Sequence, residues 1–131
     1  MTGSANAPRR AAGFTLIELL IVMAIIGTLL SIAVPRYFNS LARARETVLR
    51  EDLAIMREAL DKYYADLGVY PESLNLLVDK SYVRALPVDP FTRTAESWTL
   101  VQSEDPDRAG IRDIHSGASD QAVDGTPVSA W

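Results

Sequence analysis

Between Gly13 and Pro35 the chain reads Gly-Phe-Thr-Leu-Ile-Glu-Leu-Leu-Ile-Val-Met-Ala-Ile-Ile-Gly-Thr-Leu-Leu-Ser-Ile-Ala-Val-Pro, and from Phe14 to Val34 it is almost wholly apolar. Roughly 20 such residues, at about 1.5 Å of rise each, cross the ~30 Å hydrocarbon layer of a bilayer as one helix. A single charge interrupts the run, Glu18. A carboxylate inside a membrane span costs about 2.5–3.5 kcal/mol on insertion scales, so it needs a partner of opposite charge. The nearest partner the sequence offers is an amine. A cut after Gly13 would leave Phe14 as a free N-terminus, four residues before Glu18.

Arg9-Arg10-Ala11-Ala12-Gly13, followed by Phe14-Thr15-Leu16-Ile17-Glu18, resembles the class III signal of type IV pilins and type II secretion pseudopilins. In that family a dedicated membrane peptidase cuts after the glycine and methylates the new N-terminal phenylalanine. The resemblance implies cleavage at Gly13, N-methylation at Phe14, and an assembly role for Glu18 beside the Phe14 amine of an adjacent subunit. Pro35 also matches the family's pattern. The competing reading is a Sec-type signal peptide cut near Ser31-Ile32-Ala33. Glu18 within the apolar run and Pro35 just beyond the cut argue against it.

The chain has 131 residues and no cysteine. That is enough for one small domain once a membrane helix is set aside, and the domain must be held by packing, a metal or neighbouring subunits. Lack of cysteine disfavours a typical type IV pilin, whose C-terminal region usually carries a disulfide. Without Arg9 and Arg10 the balance is 11 basic against 17 acidic residues, which is not that of a nucleic-acid-binding protein. The acid is concentrated from Asp66 onward.

Residues 1–13 are a short polar leader and 14–35 the membrane helix. Pro35 removes one backbone hydrogen bond, which in a membrane helix kinks more often than it stops. Thr28 and Ser31 can bond back to carbonyls one turn earlier. From 36 to 67 the pattern becomes that of an amphipathic helix. Leu41, Val48, Leu49, Leu53, Met56, Leu60, Tyr63 and Leu67 recur at spacings of three, four or seven. The charges opposite, from Arg43 to Lys62, read as a solvated face. Glu46 with Arg50 and Glu58 with Lys62 are favourable i,i+4 pairs, each worth about 0.2–0.5 kcal/mol. Gly68 and Pro71 supply the stop.

A connecting segment, 68–96, follows. Leu74, Leu77 and Val78 suggest a short helix, Tyr82 to Pro87 a loop tucked onto the long helix, and Pro87-Val88-Asp89-Pro90-Phe91 a turn. Two strand candidates come next, Ser97–Gln102 and Gly110–His115, in a sheet-and-loop region of 97–131. Alternation places Trp98, Leu100 and Gln102 on one face, and Ile111, Asp113 and His115 opposite Arg112 and Ile114. A two-stranded sheet is marginal alone, so it must pack on the helix. The expected fold class is α+β, a long N-terminal helix against a small antiparallel sheet. Tyr70-Pro71, Leu86-Pro87, Asp89-Pro90-Phe91 and Trp98 together resemble the major pseudopilins of the general secretion pathway.

Asp113, His115 and Ser116 invite a hydrolase reading, but adjacency does not make a triad and no nucleophile elbow surrounds Ser116. The aromatics Tyr63, Tyr64, Tyr70, Tyr82, Phe91 and Trp98 read as packing residues. Ser116-Gly117-Ala118-Ser119-Asp120 with Asp124-Gly125 resembles the calcium loop of those pseudopilins, although it is shorter and differently spaced. The resemblance implies calcium at Ser116, Asp120 and Asp124, and carboxylates with loop carbonyls supply the oxygen such an ion wants. A solvated acidic loop is the alternative.

The expected function is that of a non-enzymatic filament subunit, and the resemblance implies the filament of a type II secretion pseudopilus. The membrane form is single-pass in the inner membrane, with a cytoplasmic N-terminus and a periplasmic domain. The resemblance implies as partners further copies of the chain, a prepilin peptidase, the inner-membrane platform, the secretion ATPase and minor pseudopilins. The alternative is a type IV pilin serving adhesion, motility or DNA uptake.

Overall fold

The computed structural model describes residues 3–4 and 13–131. The leader residues Arg9 and Arg10 lie outside the described residues. Helix α1, Leu16–Leu67, is 52 residues long. Thr15 and Glu18 begin it as a capping box: the Glu18 N–H donates to Thr15 Oγ1 at 3.2 Å, and the Thr15 N–H donates to Glu18 Oε2 at 3.4 Å. Two of the four orphan donors at the helix start are satisfied in this way. Pro35 lies inside α1 and does not end it.

The chain divides into two units, 1–37 and 38–131. In the first, α1 is apolar and outward-facing: Leu16, Leu20, Met23, Ile26, Leu30 and Ile32 are all exposed. Its two hydroxyls bond within the helix, Thr28 Oγ1 to the Ala24 carbonyl at 2.8 Å and Ser31 Oγ to the Thr28 carbonyl at 2.6 Å. Both hydroxyls are thereby satisfied within the helix, which leaves the Glu18 carboxylate as the charged group on this apolar surface.

In the second unit α1 buries one stripe: Leu49, Leu53, Met56, Ala59, Leu60 and Tyr63. Fully burying a large apolar side chain contributes about 1.5–3 kcal/mol, so this stripe carries much of the domain's stability. Leu41, Val48 and Leu67, expected on the same face, are 37%, 44% and 45% exposed. They sit on the flank of the buried stripe or beyond its end. Gly68, at φ 73°, closes the helix, and its N–H donates to the Tyr64 carbonyl.

The short helix α2 is Asn75–Asp79, and its Leu77 is buried. Strands β1, Thr99–Gln102, and β2, Ile111–His115, pair antiparallel. Trp98 precedes β1 rather than lying within it; it is buried, and its Nε1–H donates to the Pro87 carbonyl at 3.0 Å. The expected alternation fails in β2, where Ile111 and Ile114 are both buried. The register explains it: Val101 faces Asp113 and Gln102 faces Ile111, so Arg112 is an extra residue. Such a bulge puts two residues three apart on one side. Tyr70 and Pro71 run beside the start of β2, through Tyr70 N–H to the Ala109 carbonyl and Ile111 N–H to the Pro71 carbonyl. Gly110 permits that approach, because a Cβ there would stand 2.3 Å from the Tyr70 oxygen.

The aromatics pack as expected. Tyr63 and Tyr82 are tilted with centroids 5.4 Å apart, and Tyr64 stacks on Tyr70 at 4.7 Å. The tail after β2 also packs: Ala118, Ala122 and Val128 join the core.

Candidate functional site

Two places hold the residues singled out in the sequence. The first is the start of α1. Phe14 is 87% exposed and precedes the capping box, so the candidate cleavage point, the candidate methylation site and Glu18 lie within the first turn and its approach. From Leu16 to Val34 the surface beyond it is apolar, and Glu18 is the only ionisable side chain on it. A helix of this kind cannot face water. Such a surface is suited to lipid rather than to water. Pro35 lies at the end of that surface.

Thr15-x-x-Glu18 is the sequence signature of a capping box, a role that reading Glu18 only as a lone membrane charge missed. The carboxylate therefore has a local task, closing the helix start, beside any task between subunits.

The second place is the tail. Ser116 is buried, its hydroxyl donates to Asp89 Oδ2, and its oxygen accepts from the Ala118 N–H at 3.2 Å. The Ser116 side chain is thus turned inward, and only its carbonyl remains for an ion. Asp120 is exposed and its carbonyl accepts from the Val128 N–H. Asp124 is exposed, and its Oδ1 accepts from the Thr126 N–H at 3.0 Å and the Thr126 hydroxyl at 2.6 Å. Those two bonds, the hydroxyl first, hold the Asp124 carboxyl below the usual range. Among the described residues no group of three or more His, Cys, Asp or Glu converges. The tail presents two exposed carboxylates and loop carbonyls, oxygen donors of the type a hard cation takes. His115 does not meet Ser116: its Nδ1 faces the Trp131 main-chain oxygen, and its Nε2 lies 3.9 Å from Asp113.

What fixes the tail is a set of α1 side chains read from sequence as solvated. Arg57 Nε donates to Asp113 Oδ1 at 2.8 Å, and its Nη2 donates to the Ile114 carbonyl at 3.0 Å and the Trp131 oxygen at 2.7 Å. The Arg50 guanidinium lies over the Trp131 ring, 4.3 Å from its centroid. Glu46 accepts from the Val123 N–H. The expected Glu46–Arg50 pair is replaced by these longer-range contacts, whereas Glu58 and Lys62 do pair, at 3.1 Å. Asp89 was also missed as a buried group; it is fully buried in the turn the sequence marked.

The N-terminal stretch, residues 8–34, matches the family signature described as the prokaryotic N-terminal methylation motif. A type II secretion system core protein G of Pseudomonas aeruginosa is 34% identical over 99 residues, covering 63% of this chain and 70% of the relative. One from Dickeya chrysanthemi is 31% identical over 132 residues, covering 88% of this chain and 82% of the relative. One from Escherichia coli is 29% identical, covering 88% and 86%. No solved structure matches the chain.

Proposed function

The chain belongs to the family of the type II secretion system core protein G, and from that membership we propose that it is a structural subunit of the secretion pseudopilus. The observation that carries the reading is the exposed apolar half of α1, joined to a methylation motif that spans its start. In the membrane this surface is covered by lipid; in a filament it is covered by the same surface of other copies. Transfer from one to the other exchanges like for like in hydrophobicity, so packing and the Glu18 charge decide the geometry.

In this reading a prepilin peptidase cuts after Gly13 and methylates Phe14. The new Phe14 amine then meets Glu18 of a neighbouring subunit. Pairing removes an otherwise unpaired charge from the apolar filament core, where leaving it alone costs several kcal/mol. Before assembly the chain is single-pass in the inner membrane, with its acidic domain in the periplasm. The platform and ATPase drive assembly, minor pseudopilins cap it, and the filament pushes folded proteins toward the outer membrane. The role is mechanical, not enzymatic. Calcium, in the same reading, is held at Asp120 and Asp124 with main-chain oxygens of the loop starting at Ser116, and supplies only cross-linking of that loop.

The test is a deletion strain with the chain restored from a plasmid. Folded exoproteins accumulate in the periplasm on deletion and return to the medium on restoration, and the restored chain begins at N-methyl-Phe14 by intact mass. Unchanged export on deletion, or a chain cut near Ala33, overturns the reading.

A further inference from the structure

Away from the membrane half, the domain shows two surfaces that remain without an occupant. The first is on α1. Leu41, Val48 and Ile55 are 37%, 44% and 44% exposed. Their seven-residue spacing sets them in one stripe along the helix flank, and Arg45 stands beside it, one turn beyond Leu41. Among the described residues nothing bonds the Arg45 guanidinium.

The second surface lies over the connecting segment. Two adjoining clefts, of about 260 and 410 Å³, share Asn75, Leu86, Ala95 and Glu96. Leu74, Leu86, Trp98 and Leu100 supply apolar walls, and Leu100 is 43% exposed. Glu72, Asp79 and Glu96 stand at the rim against one cation, Arg84. None of the three carboxylates is ion-paired among the described residues.

An apolar cleft with an acidic rim complements an apolar helix stripe with a cation at its side. The two surfaces are different patches of one chain, so one copy can offer the stripe while the next offers the cleft. We propose that the Leu41–Val48–Ile55 stripe of one subunit seats in the Leu86–Leu100 cleft of a second copy, with Arg45 meeting Glu96. The contact is heterologous, and a heterologous contact that does not close into a ring builds an open helical filament. Exposed ion pairs add little affinity. Burial of the stripe holds the contact, and the Arg45–Glu96 pair sets its register. The inference rests on the filament role and adds to it a surface outside the apolar half of α1.

The chain has no cysteine, so introduced thiols report alone. The test uses the full chain in membranes of cells carrying the complete secretion apparatus. With Arg45→Cys and Glu96→Cys in one chain, oxidation gives a ladder of cross-linked multimers. With the two single variants co-expressed it gives dimers, and neither single variant alone does so. Arg45→Glu lowers export at least tenfold, and adding Glu96→Arg restores it. A double-cysteine chain that supports export but forms no ladder overturns the interface and leaves the filament role standing. If that chain does not accumulate, failure of Glu96→Arg to rescue Arg45→Glu overturns the interface instead. Export indifferent to deletion of the chain removes the filament role and the interface together.

Discussion

Asp89 is a carboxylate with no exposure and no cation among its hydrogen-bond partners. It accepts from the Phe91 N–H at 2.8 Å, from the Thr92 N–H at 3.4 Å and from the Ser116 hydroxyl. One side chain thus fastens the central turn to the end of β2, 27 residues later. Ser116→Ala leaves an Asp89 oxygen and the Ala118 N–H short of a partner, at a cost of about 1–3 kcal/mol. Denaturation of the full chain in detergent should show that loss, read from Trp98 and Trp131, the only tryptophans. A second carboxylate nearby behaves differently. Burial, then the charges of Glu51 and Asp89, raise the Asp52 carboxyl above its usual range. A raised acid favours the folded state most when protonated, so its contribution is present below the unfolded value, near 4, and is lost as pH rises through the folded one. Asp52→Asn should therefore melt higher than the parent at neutral pH, with the gap closing on acidification. A gap that is constant with pH would show that the charge is not the cause. The turn at Asp89 was legible from Pro-Val-Asp-Pro; its burial was not, because the partner that makes burial tolerable is distant in sequence.

At the level of elements, α1 was the most legible part of the chain. Its apolar run, its change to amphipathic spacing at residue 36 and its stop at Gly68 each follow from local physics, and the helix spans Leu16–Leu67. The same periodicity overstated the buried face, since spacings of seven also describe the flank where Leu41 and Val48 are exposed. The sheet was legible as two strands, but the bulge at Arg112 was not, because an extra residue shows only once both strands are aligned. A prediction about Glu18 belongs here, since the residue closes the helix start and, in the proposed function, also pairs between subunits. Glu18→Leu removes the carboxylate from both roles, whereas Thr15→Ala removes only the hydroxyl half of the cap, worth about 0.5–2 kcal/mol. Both variants should be cleaved and inserted. Only Glu18→Leu should fail to form filaments, as judged by sedimentation of sheared fibres. Equal failure of both would trace the defect to the cap rather than to a charge between subunits.

For the whole molecule, the tail was the least legible region. Its composition, rich in Gly, Ser, Asp and Pro, is that of a solvated loop, yet Ala118, Ala122 and Val128 are in the core and Trp131 lies under Arg50. Small apolar residues spread through a polar stretch give no periodic signal. Calcium would therefore act on a tail that is already anchored. If the ion binds the folded state alone, a hundredfold excess over Kd adds about 2.7 kcal/mol. The full chain should melt higher with calcium than with a chelator, and Asp120→Ala and Asp124→Ala should abolish the difference. Identical curves for the parent would exclude the site.

The bonds from Arg57 to the Trp131 oxygen and from Glu46 to the Val123 N–H span 74 and 77 residues of chain. Closing loops that long is entropically costly and is rewarded only at the end. In the proposed topology, with the helix entering its compartment first, the polar face of that helix waits for residues 123–131 before these bonds can form. On that order of events, the locking of the domain is timed by arrival of the tail.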